Sequence, residues 1–275
     1  KYFGDFGEFG DGDGAFVWPT ALAFDQNDRL YLTDEYNHRV TMFNTNGSFI
    51  SKWGTYGTGD GQLNGPAGIA IGQTGEIFVS DHLNNRVVCF TPDGQYIRKW
   101  GQYGTMDGDL DLPWGVTASD TYIYVADWRN DRIQQFTYDG EFVNCFGETG
   151  DKPGQFYRPS SVAVDKDGHI YVADWGNERV QILDPDGGFV QELRGQADLS
   201  VWAEEFYEAN DDEKSQRDKF ELIPEMSPSV QSPYEISART EPYFWGPISV
   251  KLDPAQNLYV TETNRHRIQV YSQVG

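Results

Sequence analysis

Apolar residues in this chain fall in short runs of five or six, separated by turn residues. A proline opens the first run of each group: Pro19 precedes TALAFD, Pro66 AGIAIG, Pro113 WGVTAS, Pro159 SSVAVD and Pro247 ISVKLD. A second run follows each, RLYLTD (29–34), EIFVSD (76–81), YIYVAD (122–127), HIYVAD (169–174) and NLYVTE (257–262). Third runs begin with arginine: RVTMFN (39–44), RVVCFT (86–91), RIQQFT (132–137), RVQILD (179–184) and RIQVYS (267–272). Fourth runs end in FISKWG (49–54), YIRKWG (96–101), FVNCFG (142–147) and FVQELRG (189–195). Short runs rich in β-branched and aromatic residues predict strands. Asp-Gly at 93–94, 139–140 and 186–187 predicts tight hairpins between third and fourth strands, because glycine takes the positive φ such turns need.

The opening prolines are spaced 47, 47 and 46 residues apart, and the last interval is 88. Four antiparallel strands repeated at a fixed period predict an all-β propeller, one domain across 1–275, with each unit a blade. The fifth unit stops one strand short. Lys1-Tyr2-Phe3-Gly4 reads like Ser51-Lys52-Trp53-Gly54, so the N-terminal strand is expected to complete the last blade and remove two open sheet edges. The chain opens without Met and without a charged-then-apolar leader, as a trimmed or mature chain would. Residues 196–246 break the pattern. The stretch 197–220 predicts a helix with Trp202, Phe206 and Ala209 on one face, and 221–247 is rich in Pro and Ser. The insertion predicts a helical lid or a degenerate sixth blade, and its lack of hairpin signals favours the lid.

An acid ends every second strand and an arginine follows five positions later: Asp34/Arg39, Asp81/Arg86, Asp127/Arg132, Asp174/Arg179 and Glu262/Arg267. Asn37, Asn84, Asn130 and Asn177 stand at the third place after the acid, and Arg265 takes that place in the fifth unit. Recurrence in every unit predicts that these pairs build blades and are buried. This pattern, acid-x-x-Asn-x-Arg-(Ile/Val)-x-x-(Phe/Tyr) after Pro-x-x-(Ile/Val)-Ala, resembles the NHL repeat over residues 1–195 and 247–275. The resemblance implies a β-propeller, usually of six blades in that family, where five units match here.

Composition changes the picture mainly by exclusion. With 43 Asp and Glu against 21 Lys and Arg, the net charge is −22, which repels the phosphate backbone and argues against nucleic acid. No apolar run is long enough to span a membrane. Cys89 and Cys145 fall on different units and predict two small buried hydrophobes rather than a bridge. This composition fits a bacterial cytoplasm, a periplasm or a salty exterior equally.

Residues that recur are scaffold, so chemistry is expected where units differ. The place after the second-strand acid holds Glu35, His82, Trp128, Trp175 and Thr263, and the next holds Tyr36, Leu83, Arg129, Gly176 and Asn264. Trp18, Trp114, Tyr243 and Trp245 lie near the opening prolines, at the same end of the propeller. The expected site is therefore a Trp-rich channel mouth binding a small molecule, peptide or protein through Trp18, Tyr36, Trp114, Trp128, Trp175, Tyr243 and Trp245. The alternative is a lactonase-like or phosphotriesterase-like hydrolase, or a lyase, with Glu35, His82 and Arg129 in the working positions. The family resemblance implies zinc in the amidating lyase, held partly by a histidine just after the first-strand proline. Thr20, Ala67, Trp114, Ser160 and Ile248 occupy those places, so that zinc site is absent. Calcium is the other metal the resemblance brings, and the Gly-Asp loops at 10–16, 57–63, 104–110 and 149–156 read either as calcium loops or as connecting turns.

Overall fold

The structure is a computed structural model and describes residues 5–197, 201–219, 223–224, 226–227 and 230–272. Each predicted unit folds as an antiparallel sheet in chain order. Blade 1 holds β1 (Pro19–Phe24), β2 (Leu30–Asp34), β3 (Arg39–Phe43) and β4 (Phe49–Trp53). Blade 2 holds β5 (Pro66–Ile71), β6 (Ile77–Asp81), β7 (Arg86–Phe90) and β8 (Tyr96–Trp100). Blade 3 holds β9 (Pro113–Ala118), β10 (Tyr122–Asp127), β11 (Arg132–Thr137) and β12 (Phe142–Phe146). Blade 4 holds β13 (Pro159–Val164), β14 (Ile170–Asp174), β15 (Arg179–Leu183) and β16 (Phe189–Leu193). Blade 5 has three strands among the described residues, β17 (Pro247–Leu252), β18 (Leu258–Glu262) and β19 (Arg267–Tyr271). The strand expected from residues 1–4 to complete it lies outside the described residues.

The core is a series of apolar layers between blades. Tyr31, Val40 and Met42 of blade 1 meet Ile69, Ile77 and Val79 of blade 2, and the same arrangement joins blades 2–3, 3–4 and 4–5. Outer-strand aromatics reach over the next blade's hairpin. A Cβ on Gly94 would sit 2.4 Å from the Trp53 ring, and one on Gly140 would sit 2.7 Å from Trp100. Both glycines also hold positive φ (85° and 91°), so the hairpin signal and the packing require the same residue.

Blades 1 and 5 have no comparable packing against one another among the described residues. Equivalent positions show what is left uncovered. Ile69, Val116, Val162 and Val250 are buried against the preceding blade, whereas Leu22, their counterpart in blade 1, is 54% exposed. Val40, Val87, Ile133 and Val180 are buried against the following blade, whereas Ile268 of blade 5 is 60% exposed. Among the described residues, no blade covers these two faces. This yields a direct test: Ile133→Val should cost ~1 kcal/mol of unfolding free energy, and Ile268→Val close to nothing, because only Ile133 leaves a cavity. Equal losses in urea titrations would mean that Ile268 is covered in solution.

The insertion leaves blade 4 and returns to blade 5 at one place. Phe244 N donates to Arg194 O (2.6 Å) and Ala197 N to Pro242 O (3.2 Å), and β13 packs directly on β17. The segment therefore takes no blade position, which removes the degenerate-blade alternative for 196–246. It carries helices instead: α1 (Val201–Ala209), α2 (Asp211–Arg217) and α3 (Pro233–Arg239). The single helix expected over 197–220 is split at Asn210, whose backbone is non-helical. Phe206, expected on the apolar face of that helix, is exposed and pairs edge-on with Tyr207 at 5.5 Å. Ser232 caps α3 by accepting from Glu235 N (3.2 Å), with Pro233 in its first turn.

Candidate functional site

The recurring acids organise one end of the propeller. Asp174 Oδ1 accepts from Tyr157 N (2.7 Å), while Oδ2 accepts from Asn177 Nδ2 (2.9 Å), Arg179 Nε (2.8 Å) and Gln181 Nε2 (3.2 Å). Asp81, Asp127 and Glu262 make the matching ion pairs with Arg86, Arg132 and Arg267. Burial pushes the carboxyls of Asp81, Asp127 and Asp174 upward, against the pull of those donors. Blade 1 departs from the expected pattern. Asp34 accepts from Val17 N (2.9 Å), Trp18 N (3.1 Å) and Asn37 Nδ2 (2.6 Å), and Arg39 Nε is left buried without a partner. Among the described residues no preceding blade offers an acceptor for Trp18 N, which turns to Asp34 Oδ1 instead.

In the other blades that acceptor is a second device, which the sequence did not reveal. The residue before each arginine takes a left-handed backbone, with φ of 53° at His38, 55° at Asn85, 54° at Asp131 and 56° at Glu178. Each side chain then crosses to the next blade. His38 Nδ1 accepts from Gly65 N (3.1 Å), Asn85 Oδ1 from Leu112 N (2.8 Å), Asp131 Oδ1 from Arg158 N (2.7 Å) and Glu178 Oε2 from Gly246 N (2.5 Å). Only a shared polar character at this position marked it in the sequence. Glu178 is buried, and desolvation first, then Glu262, push its pKa up to about 7 against the Gly246 N–H and Arg194.

The Gly-Asp loops are bound by the same arginines. Arg86 donates to the carbonyls of Thr58 (2.6 Å), Gly59 (3.2 Å) and Gln62 (2.8 Å), and Arg39, Arg132 and Arg179 treat their loops alike. These loop carbonyls thus accept from guanidinium groups, which fasten each loop to its blade. Among the described residues no three His, Cys, Asp or Glu side chains gather as metal ligands.

Backbone bonds join the two loops of the expected mouth in every blade: Glu35 N to Trp18 O, His82 N to Gly65 O, Arg129 N to Asp111 O, Gly176 N to Tyr157 O and Thr263 N to Gly246 O. Trp18 and Tyr36 form an edge-on pair at 6.1 Å and are 61% and 62% exposed. Arg158 lies 4.8 Å from the Trp128 ring and 5.3 Å from that of Tyr157, a cation–π sandwich across blades 3 and 4. Trp245 meets Tyr234 of α3 edge-on at 5.6 Å, and Trp175 opens the short turn 175–177 on which α3 rests. Tyr243 sits apart, in an ~830 Å³ crevice with Leu193, Arg217 and Tyr271 at the root of the insertion.

His82 and Trp114 pack edge-on at 4.9 Å. The imidazole is buried, Nδ1 has no partner, and desolvation lowers its pKa to about 4, so it is neutral at pH 7. Burial raises the Glu35 carboxyl, partly offset by His38. No hydrogen bond or ion pair joins Glu35, His82 and Arg129 to one another among the described residues; of the seven expected aromatics, Trp18 and Tyr36 form a ring pair.

The sequence model of the NHL repeat matches residues 156–183 and 244–271, and one described as a 6-bladed beta-propeller matches 22–100. No protein of curated function matches by sequence. Among solved structures, virginiamycin B lyase from Staphylococcus aureus is similar at a TM-score of 0.56 and 14% identity, over 94% of this chain and 71% of that one. Kuenenia stuttgartiensis hydrazine synthase gives 0.56 at 16% identity, over 93% and 76%. A chain of a nidogen/laminin complex gives 0.54 at 18% identity, over 93% and 80%. At such identities the likeness is one of fold.

Proposed function

The chain is an NHL-repeat β-propeller, and on that premise we propose that its aromatic mouth is a binding site for a small molecule or peptide with a flat, weakly polar face. The observation that carries this is the Trp18/Tyr36 pair, two large rings packed edge-on at 6.1 Å that stay mostly exposed on adjoining loops joined by the Glu35 N to Trp18 O bond. In this reading Trp114, Trp128, Trp175 and Trp245, on the corresponding loops of blades 3, 4 and 5, extend the surface, whereas Tyr243 lies apart from it. Aromatic faces bind rings, sugars and cations by area and by their quadrupole, and a net charge of −22 favours a neutral or cationic ligand.

Five of the eight tryptophans belong to this mouth, so intrinsic fluorescence reports on it. A titration with aromatic, saccharide and short-peptide probes should give saturable quenching. Trp18→Ala or Trp128→Ala should weaken the best probe about tenfold, ~1.4 kcal/mol. Unchanged affinity in both variants would refute the site. The catalytic alternative predicts turnover of an ester, lactone or phosphotriester that Glu35→Gln and His82→Ala abolish. The absence of hydrogen bonding among Glu35, His82 and Arg129 leaves binding as the better-supported reading.

A further inference from the structure

Blade 5 departs from the other four at one scaffold position. Asn37, Asn84, Asn130 and Asn177 each donate through Nδ2 to a loop glycine carbonyl and to the strand-end acid. Arg265 stands there instead, and its Nη2 donates to the carbonyls of Ser237 (2.8 Å) and Thr240 (3.1 Å), at the end of α3. Between α3 and blade 5 lies a cleft of about 540 Å³, lined by Ala238, Arg239, Glu241, Asn264, Arg265 and Arg267. Three of these six side chains are arginines, in a chain whose acids outnumber its bases 43 to 21.

The acids near the cleft are already engaged. Glu241 pairs with Arg217 at 2.7 Å, and Glu262 pairs with Arg267. Arg239, the Asn264 amide and Arg265 Nη1 have no acceptor among the described residues. Behind them Arg265 Nε, Trp245 Nε1 and the hydroxyls of Ser237 and Thr240 are buried and also unpartnered. Buried donors normally find acceptors, so this joint has donors in excess. Burial, and then Arg267, lower the Arg265 pKa, against the opposing pull of Glu262 and Glu241.

We propose that this cleft binds the oxyanionic group of a small ligand, a carboxylate or a phosphate, between Arg239 and Arg265, with the Asn264 amide as a third donor. Guanidinium groups suit planar and tetrahedral oxyanions because their N–H donors are fixed in a fork. The α3 carbonyls, which would repel an anion, are covered by Arg265 Nη2. Polyanions such as nucleic acid are disfavoured by the surrounding negative charge, so the anion is a small one.

The test is a titration of the folded chain with inorganic phosphate and with acetate, against sodium chloride at matched ionic strength, observed by the arginine Nε–H resonances in ¹⁵N NMR. Loss of one resonance in Arg265→Lys assigns Arg265. Its resonance should move saturably with phosphate or acetate and not with chloride, and the tighter of the two identifies the oxyanion class. Arg239→Ala, an exposed change that leaves α3 capped, should weaken that response about tenfold. Trp128→Ala should leave it untouched, so failure here is separable from failure at the aromatic mouth. A linear response equal to that of chloride, or a full response in Arg239→Ala, would overturn the proposal.

Discussion

Replacing Asp174 by alanine should lower the unfolding free energy by about 3–5 kcal/mol, a large share of the ~5–15 kcal/mol typical of a folded domain. The carboxylate is fully buried and accepts from four groups at once: Tyr157 N, Asn177 Nδ2, Arg179 Nε and Gln181 Nε2. Removing it strands Arg179, itself 2% exposed, with only Glu192 (2.7 Å) as a charged partner. A buried charge without its partner costs more than the pair contributed, because desolvation is no longer offset. Two comparisons make the result specific. Asp34→Ala should cost less, since Arg39 Nε makes no pair with Asp34 and loses nothing. Arg179→Lys should not be benign, because an ammonium cannot hold Asp174 while also reaching the carbonyls of Lys152 and Gln155. Urea midpoints of the three variants decide the matter. An Asp174→Ala midpoint equal to that of Asp34→Ala would show that the ion pair is not what stabilises the blade.

Much of this architecture was legible because it repeats. Five prolines, five acids and five arginines at fixed offsets specify the strands, the turns and four of the five acid–arginine pairs, Asp34 and Arg39 being the exception. What did not repeat was harder to read. The exposure of Leu22 and Ile268 leaves no mark in composition, since both look like their buried counterparts and differ only in what lies beside them among the described residues. The crossing hydrogen bonds were hidden for a related reason: His, Asn, Asp and Glu share little as side chains, yet each takes the same left-handed backbone before the arginine. Glu178 and Arg158 were missed on that account. In the insertion, Ser232-Pro233 with Glu235 was a usable start signal for α3. It was masked by the surrounding Pro and Ser, which read as loop. At the mouth, the rule that departures from the repeat mark function picked out Trp18 and Tyr36, which form an exposed edge-on pair. The rule could not say that His82 would be sealed against Trp114, because burial of a loop histidine depends on the neighbouring blade.

Two buried groups should impose opposite pH dependences on stability, and removing one should expose the other. Glu178 has a pKa of about 7 in the fold against 4.5 unperturbed. Between these values the native chain holds a proton that the unfolded chain has lost, so stability falls as pH rises from 4.5 to 7. His82 has a pKa of about 4 against 6.5. There the unfolded chain holds the extra proton, so stability rises with pH from 4 to 6.5. Each span is worth about 3 kcal/mol at ~1.4 kcal/mol per pH unit. In the wild type the two slopes nearly cancel over the shared window. Glu178→Gln keeps an acceptor for Gly246 N but no longer titrates, so its stability should climb by ~3 kcal/mol between pH 4 and 6.5 and exceed the wild type by a similar amount at pH 8. His82→Phe keeps the ring against Trp114 and should give the reverse, a decline from pH 4.5 to 7. Carboxyls common to all three proteins drop out of the difference curves, so urea titrations across this range isolate the two groups. Parallel curves for Glu178→Gln and the wild type would show that Glu178 is not held protonated at the junction of blades 4 and 5. The anchoring of the insertion would then be independent of pH.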